Sequence, residues 1–432
     1  MTSDRFPFQD ADLAPTFKPG LARYGMFLSV VLGVMLVFCQ MGSALGPVAS
    51  AGSVVAGLAL LVINRQAMHA KGLGFAWLGL FPAFLLLTTV WSAEPGLTFY
   101  YAIQLLLTAM GAYALWVGFD LRGFVGVAML GALLVCLVSL GTGTTGPSTI
   151  GPVLIGITGS KNAMSSAGNL AVLAGLVVLL GRGWAPVARA VALLALVVGG
   201  YIVATTHAMT EILLTVVSVP LFWGLWLVHR VPGQWRLITM AVALVAALPG
   251  LVVAGHMVGG EQAALRGLGK DERLTGRAYL WQVAGEQIAE APVLGQGYKS
   301  LWMSYSPPAI GMLHSQSVTD PRTFSMHQTY LESRLDGGLV GEILLIGVIA
   351  AGTLAGLVVA LVWGDMASLF LAVFMINLAA RSFFETLYGP FYIYFTLLLG
   401  LAGYAVAGLR AILAQRAPAQ PLAYRPVLSG QA

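Results

Sequence analysis

Stretches of about 20 residues without Asp, Glu, Lys or Arg recur along this chain, and they constrain its fold more than any other feature. A segment of that length and character spans the hydrocarbon core of a bilayer as a helix, because in lipid the backbone must satisfy its own hydrogen bonds. Charged residues make up 9% of the 432 positions, against roughly 25% in a soluble protein, so most of the surface must face lipid. The expected fold class is therefore an all-α polytopic membrane protein.

A window of about 19 residues places twelve spans, near 25–45, 47–63, 72–91, 99–119, 123–141, 162–181, 187–205, 211–229, 236–256, 338–363, 366–383 and 391–411. With the N-terminus in the cytoplasm, the cytoplasmic connections hold most of the Lys and Arg residues, among them Arg23, Arg65, Lys71, Arg122, Arg182, Arg189, Arg230 and Arg410. The short outer connections hold only Lys161 and Arg381. That asymmetry follows the positive-inside rule and puts both termini in the cytoplasm. The expected organisation is a cytoplasmic tail at 1–24, nine spans within 25–256, one large extracytoplasmic loop at 257–336, three spans within 337–411, and a second tail at 412–432. The first residues, with Asp4, Asp10, Asp12 and several prolines, read as a polar tail rather than a cleavable signal.

The net charge of +5 reports orientation and not a nucleic-acid partner, since the basic residues sit between apolar runs. Cys39 and Cys136 lie inside apolar stretches, where each packs as a small hydrophobe; neither a disulfide framework nor zinc spacing is present. No Asp-x-Asp pair, His/Cys cluster or Walker loop falls on the outer side, so the sequence calls for no metal or nucleotide cofactor.

The loop from Met257 to Asp336 breaks the apolar pattern and reads as a folded, water-facing subdomain. Leu280, Ala284 and Ile288 give a helix over 276–289 one apolar stripe. The run Pro292 to Gly297 ends it with turn chemistry. Ser325-Met326-His327-Gln328 matches a capping box, which predicts a second helix starting at Ser325 and ending at Asp336-Gly337-Gly338. His327 would then occupy the second helical position, where the helix dipole disfavours an added proton and leaves the imidazole free to act as a general base. A polar loop histidine without a role is the alternative.

Arg277, with Arg273 and Lys270, forms a basic cluster at the start of the first loop helix. Arginine forks suit a diphosphate, whereas Asp271 and Glu272 offer a solvated face instead. Lys161 and Arg381 border apolar spans, a costly position that marks functional candidates, although snorkelling or a local Arg381–Glu385 helical pair would also explain them. The crossing Thr205 to Glu211, with His207, is polar enough to contact sugar or phosphate, as any turn at the interface also must be.

Four stretches together resemble the O-antigen ligase and Wzy-type polysaccharide polymerase superfamily of bacterial envelope proteins. They are Gly156-Ile157-Thr158-Gly159-Ser160-Lys161-Asn162; Thr275-Gly276-Arg277 with Trp281 and Pro292 to Tyr298; Met326-His327-Gln328-Thr329-Tyr330-Leu331 with Gly338-Leu339-Val340-Gly341; and Arg381 to Glu385. The Lys-Asn loop and Trp302 look closest to exopolysaccharide polymerases. Gln328 stands where the family usually has Asn after the His, and His207 lies where many ligases have Arg.

The resemblance implies a GT-C-like fold in the bacterial inner membrane with a periplasmic active site. It implies an undecaprenyl-diphosphate-linked oligosaccharide as donor, and an acceptor glycan or lipid A-core as partner. It also implies metal-independent glycosyl transfer without a cofactor. On that reading His327 and Arg277 are catalytic, and Arg277, Lys161, Arg381 and Arg273 hold the diphosphate. His207, Asn162, Glu385 and Tyr330 contact acceptor or sugar. A polymerase and a ligase would use one donor class and one site, so both stay open. A transporter or flippase is disfavoured, because its ionisable groups belong at mid-membrane on broken helices rather than at outer ends.

Overall fold

The computed structural model describes residues 19–147, 151–232, 277–315 and 321–416, with Trp235, Ile238 and Val318. Its principal helices are α1 (Pro19–Met41), α2 (Pro47–Ile63), α3 (Leu80–Leu87), α4 (Pro95–Gly118), α5 (Leu121–Thr142) and α6 (Lys161–Leu180). They continue with α7 (Pro186–Thr205), α8 (Met209–Val228), α9 (Arg277–Glu290), α10 (Thr329–Trp363), α11 (Met366–Arg381) and α12 (Ile393–Arg416). Among the described residues the only extended structure is a two-residue ribbon, Thr145–Gly146 paired antiparallel with Val153–Leu154.

Among the described residues, seven helices, α4 to α8 with α10 and α12, are long and apolar enough to cross a membrane. Four shorter apolar helices, at Gly25–Met41, Pro47–Ile63, Phe75–Val90 and Met366–Arg381, accompany them. The chain is an all-α polytopic membrane protein, as its apolar runs require. The span expected near 236–256 lies outside the described residues, as do Arg273 and Lys270.

Local chemistry sets the helix ends. Pro47, Pro95 and Pro186 open α2, α4 and α7 at positions whose N–H groups need no intrahelical partner. Asp120 caps α5 through Gly123 N, Ser160 caps α6 through Ala163 N, and Asp365 caps α11 through Ala367 N and Ser368 N.

The burial of each span gives its place in the bundle. Protein covers 78% of the apolar window of α6 but only 28% of that of α7, so α6 is central and α7 faces lipid. The two pack where Gly168 meets Gly199; a Cβ on either would lie 2.7 Å from the other's carbonyl oxygen. Small residues at such a crossing let backbones approach where lipid supplies no hydrophobic drive for helices to associate.

The loop between α8 and α10 has its own small core. Leu280, Ala284, Leu301, Trp302, Ala309, Met312, Phe324, Met326 and Leu335 are buried together. Leu280 and Ala284 belong to the apolar stripe read from the sequence, with Ile288 packed at the margin.

That core is fastened to a break in α10. Gly338 has φ 59 and ψ −158, which divides α10 into a short loop-facing part and the long span behind it. The Pro292–Gly297 turn lies along the break. Leu339 N donates to Pro292 O at 3.0 Å and Val340 N to Val293 O at 3.2 Å, while Gln296 N donates to Leu335 O at 2.8 Å and Gly297 N to Asp336 O at 3.1 Å. A Cβ on Gly338 would fall inside 3 Å of the Val293 carbonyl, and one on Gly295 inside 3 Å of Gly338 N. The Gly-x-Gly motif is therefore a backbone-to-backbone joint between loop and span.

Candidate active site

The second loop helix does not start at Ser325. It starts at Thr329 with Gln328 as its cap, the Gln328 side chain accepting from Leu331 N. Glu332 explains the shift, because its Oε2 takes the Met326 N–H at 2.6 Å and holds that residue outside the helix. Ser325 Oγ, the expected cap, accepts only a long 3.4 Å contact from His327 N. His327 thus precedes the helix, with φ 51, and does not occupy its second position. Its environment is set by side chains rather than by the helix dipole.

The chief of those side chains is Glu385, in the loop after α11. His327 Nδ1 lies 3.0 Å from Glu385 Oε2, and Asn162 Nδ2 donates to Glu385 Oε1 at 2.8 Å. One carboxylate therefore joins the Lys-Asn segment at the head of α6, the His segment before α10, and the loop after α11. Thr329 stitches the same junction: its Oγ1 donates to Glu385 O at 2.7 Å and accepts from Leu387 N at 3.1 Å, and its N–H donates to Ser382 O at 2.9 Å. The Tyr330 and Ser382 hydroxyls are 2.7 Å apart. The His327 side chain is 33% exposed and that of Glu385 12%, so the imidazole is open to a substrate while its partner is shielded.

The remaining candidates lie in separate places. Lys161 is the first residue of α6, half-buried and adjacent to Asn162, so it borders this junction. Arg277 is the first residue of α9, and Trp281 one turn later donates its indole N–H to Met326 O at 3.0 Å; α9 therefore opens beside the His327 segment. His207 lies in the turn between α7 and α8, with φ 50.

Arg381 takes a different partner from the one its spacing suggested. It does not pair with Glu385 four residues on. Its guanidinium is turned into the bundle against Glu211 at the start of α8, Nη2 donating to Oε2 at 2.6 Å and Nη1 donating to both Oε1 and Ser166 Oγ. Both side chains of this pair are 1% exposed. The reason lies in the end of α11: Ser382 to Glu385 leave the helix as a turn, with Phe384 N and Glu385 N donating to Arg381 O, so Glu385 swings outward to His327.

Three buried ionisable groups behind His327 went unread in the sequence. Glu332 also accepts from Trp302 Nε1 at 2.9 Å, and Lys299 Nζ donates to Phe324 O at 3.0 Å. Asp336 accepts from Lys299 N at 2.9 Å and from the Tyr388 hydroxyl at 2.7 Å. Burial, reinforced by Asp336 and Glu332, pushes the Tyr388 phenol well above its ordinary range and keeps it a donor. These bonds fix both sides of the Phe324–His327 segment. The one signal available beforehand was acids close to apolar runs, which a membrane protein retains only with partners.

Residues 194–346 of the chain match the family model described as O-Antigen ligase. The exopolysaccharide production protein ExoQ of Rhizobium meliloti (strain 1021) is 27% identical over 340 residues, which cover 77% of this chain and 76% of the relative. The matched stretch holds Glu211 and His327, whereas Asn162, Arg381 and Glu385 lie outside it and join it through the contacts above. Both matches bear out the resemblance to the O-antigen ligase and Wzy-type polymerase superfamily.

Proposed function

We propose, from the resemblance to that superfamily, that the chain is a glycosyltransferase of the bacterial envelope which polymerises lipid-linked oligosaccharide. The donor is an undecaprenyl-diphosphate-linked oligosaccharide, the acceptor a second glycan, and the reaction runs at the periplasmic face of the inner membrane. The observation that carries this reading is the junction of His327, Glu385 and Asn162, three polar residues from three of the resembling stretches meeting at one open imidazole.

His327 takes the proton from the acceptor hydroxyl as that oxygen attacks the anomeric carbon. The bond from that carbon to the diphosphate breaks, and the diphosphate leaves with the electron pair. A diphosphate is already an activated leaving group, so cationic side chains can stabilise the departing charge without a metal ion. Lys161 and Arg277, with Arg273 from the adjoining segment, supply that charge. Arg381 acts from behind, by fastening α11 to α8 through Glu211.

A ligase reading keeps the same donor and chemistry but transfers the finished glycan to lipid A-core; the O-Antigen ligase description of the matching model favours it. A deletion strain separates the two. Loss of long chains with single repeats still on the acceptor supports the polymerase. Full-length glycan accumulating on the lipid diphosphate supports the ligase and removes the first reading.

A further inference from the structure

We infer that Glu385 is the positioning residue of the His327 base, setting which ring nitrogen is free and stabilising the charge the ring acquires. The inference rests on the proposed glycosyl transfer and assigns Glu385 a role other than direct contact with sugar.

An ionised carboxylate accepts hydrogen bonds and donates none. With Glu385 Oε2 at 3.0 Å from His327 Nδ1, the ring hydrogen belongs on Nδ1, and the lone pair on Nε2 is left for the acceptor hydroxyl. When Nε2 takes the acceptor proton, the imidazolium forms directly against the carboxylate, as the third member of a nucleophile–base–acid relay does. Atoms balance simply: the acceptor O–H proton moves to Nε2, the new C–O bond forms at the anomeric carbon, and the diphosphate departs with the old bond's electrons. The imidazolium then gives its proton to water, and Glu385 stays ionised throughout.

Glu385 is held for this task from several directions. Asn162 Nδ2 donates to its other oxygen at 2.8 Å. Its N–H donates to Arg381 O at 2.9 Å, and its carbonyl accepts from Thr329 Oγ1 at 2.7 Å. His327 is fixed as firmly, between Met326 N on Glu332 Oε2 and the Gln328 cap, with the Phe324 ring centred 5.8 Å from its own. A side chain meant to grip a sugar would turn its oxygens to the open side. Both oxygens of Glu385 are instead engaged by protein donors, and its side chain is 12% exposed.

The test uses purified full-length chain, an undecaprenyl-diphosphate-linked oligosaccharide donor and an acceptor glycan, comparing wild type, His327→Ala, Glu385→Gln and the double variant. Glu385→Gln keeps the shape and the Asn162 contact but removes the charge. It is expected to lower kcat at least ~10-fold, within the ~10²–10⁴-fold that a positioned base contributes, with both KM values nearly unchanged. The double variant is expected to be no slower than His327→Ala alone, since Glu385 acts only through the ring. Wild-type kcat in Glu385→Gln, a raised KM at constant kcat, or additive losses in the double variant would each overturn the inference. Near-wild-type turnover in His327→Ala would instead sink the base reading beneath it; a residual rate lowered ~10²–10⁴-fold is expected there and is the reference for the double variant. Should Glu385→Gln not fold, Asn162→Ala replaces it, because that change loosens the carboxylate without removing it. The same lowered kcat and the same non-additivity with His327→Ala are expected, and additivity would refute the role.

Discussion

Replacing Glu211 by Ala should be among the most damaging changes available in this chain, and the structure says how damaging. The Arg381 guanidinium is 1% exposed and has Glu211 as its counter-charge, with both carboxylate oxygens engaged. Removing one partner of such a pair leaves an uncompensated charge away from water, at a cost of about 3–5 kcal/mol. Ser166 Oγ also loses its carboxylate acceptor, which adds roughly 1 kcal/mol. The double variant Glu211→Leu with Arg381→Met removes both charges at similar volume, and should return to within about 2 kcal/mol of wild type. Unfolding in mixed micelles with rising SDS, followed by tryptophan fluorescence, reads wild type, Glu211→Ala, the double variant and its component singles Glu211→Leu and Arg381→Met on one scale. Wild-type stability in Glu211→Ala would refute the reasoning, as would a double variant as unstable as the two singles combined. The pair's role in turnover is read on the same samples. A stable double variant that still transfers glycan identifies Arg381 as a support of α11, and a stable but inactive one would return it to the diphosphate.

Three further changes probe other parts of the account. Gly338→Ala should destabilise the loop by at least about 1–3 kcal/mol, because it forces a Cβ against the Val293 carbonyl at a φ of 59; protease sensitivity of the loop checks this, and an intact loop would contradict it. Trp302→Phe keeps the ring's bulk but strips one donor from the buried Glu332 carboxylate, with an expected loss of about 1–3 kcal/mol in the micelle assay. Arg277→Lys should recover little of the activity lost in Arg277→Ala, since an ammonium lacks the bidentate fork; equal turnover of Lys and wild-type proteins would mean that bare charge suffices.

The helices were legible in this sequence because the bilayer enforces them. A run of apolar residues long enough to span has one satisfactory backbone conformation, so α4 to α8 fall where hydropathy alone places them. The α9 stripe was legible for the same kind of reason, since Leu280 and Ala284 share one face of any helix drawn through them. The junction at His327 was legible only as a set of separate residues. Asn162 and Glu385 are 223 positions apart, and no local pattern predicts that they share a hydrogen bond.

The capping-box reading failed for a related reason. Ser325-x-x-Gln328 has the right spacing, but Glu332 competes for the backbone, and its position is fixed by Trp302 from a different segment. The Arg381–Glu385 spacing misled in the same way. Four residues mean one helical turn only while the helix continues, and this one ends at Arg381. Glu211 offered a better clue than either, a lone acid at the head of an apolar span, whose partner the fold alone could name.

The most direct test of the central claim is transfer by the purified protein from an undecaprenyl-diphosphate-linked oligosaccharide, run with and without chelator beside His327→Ala. The account predicts glycan products of growing length, unaffected by chelator and formed at least ~10²-fold more slowly by a His327→Ala protein that remains folded. Near-wild-type transfer by His327→Ala, or transfer that stops on chelation and returns with added metal, would contradict it.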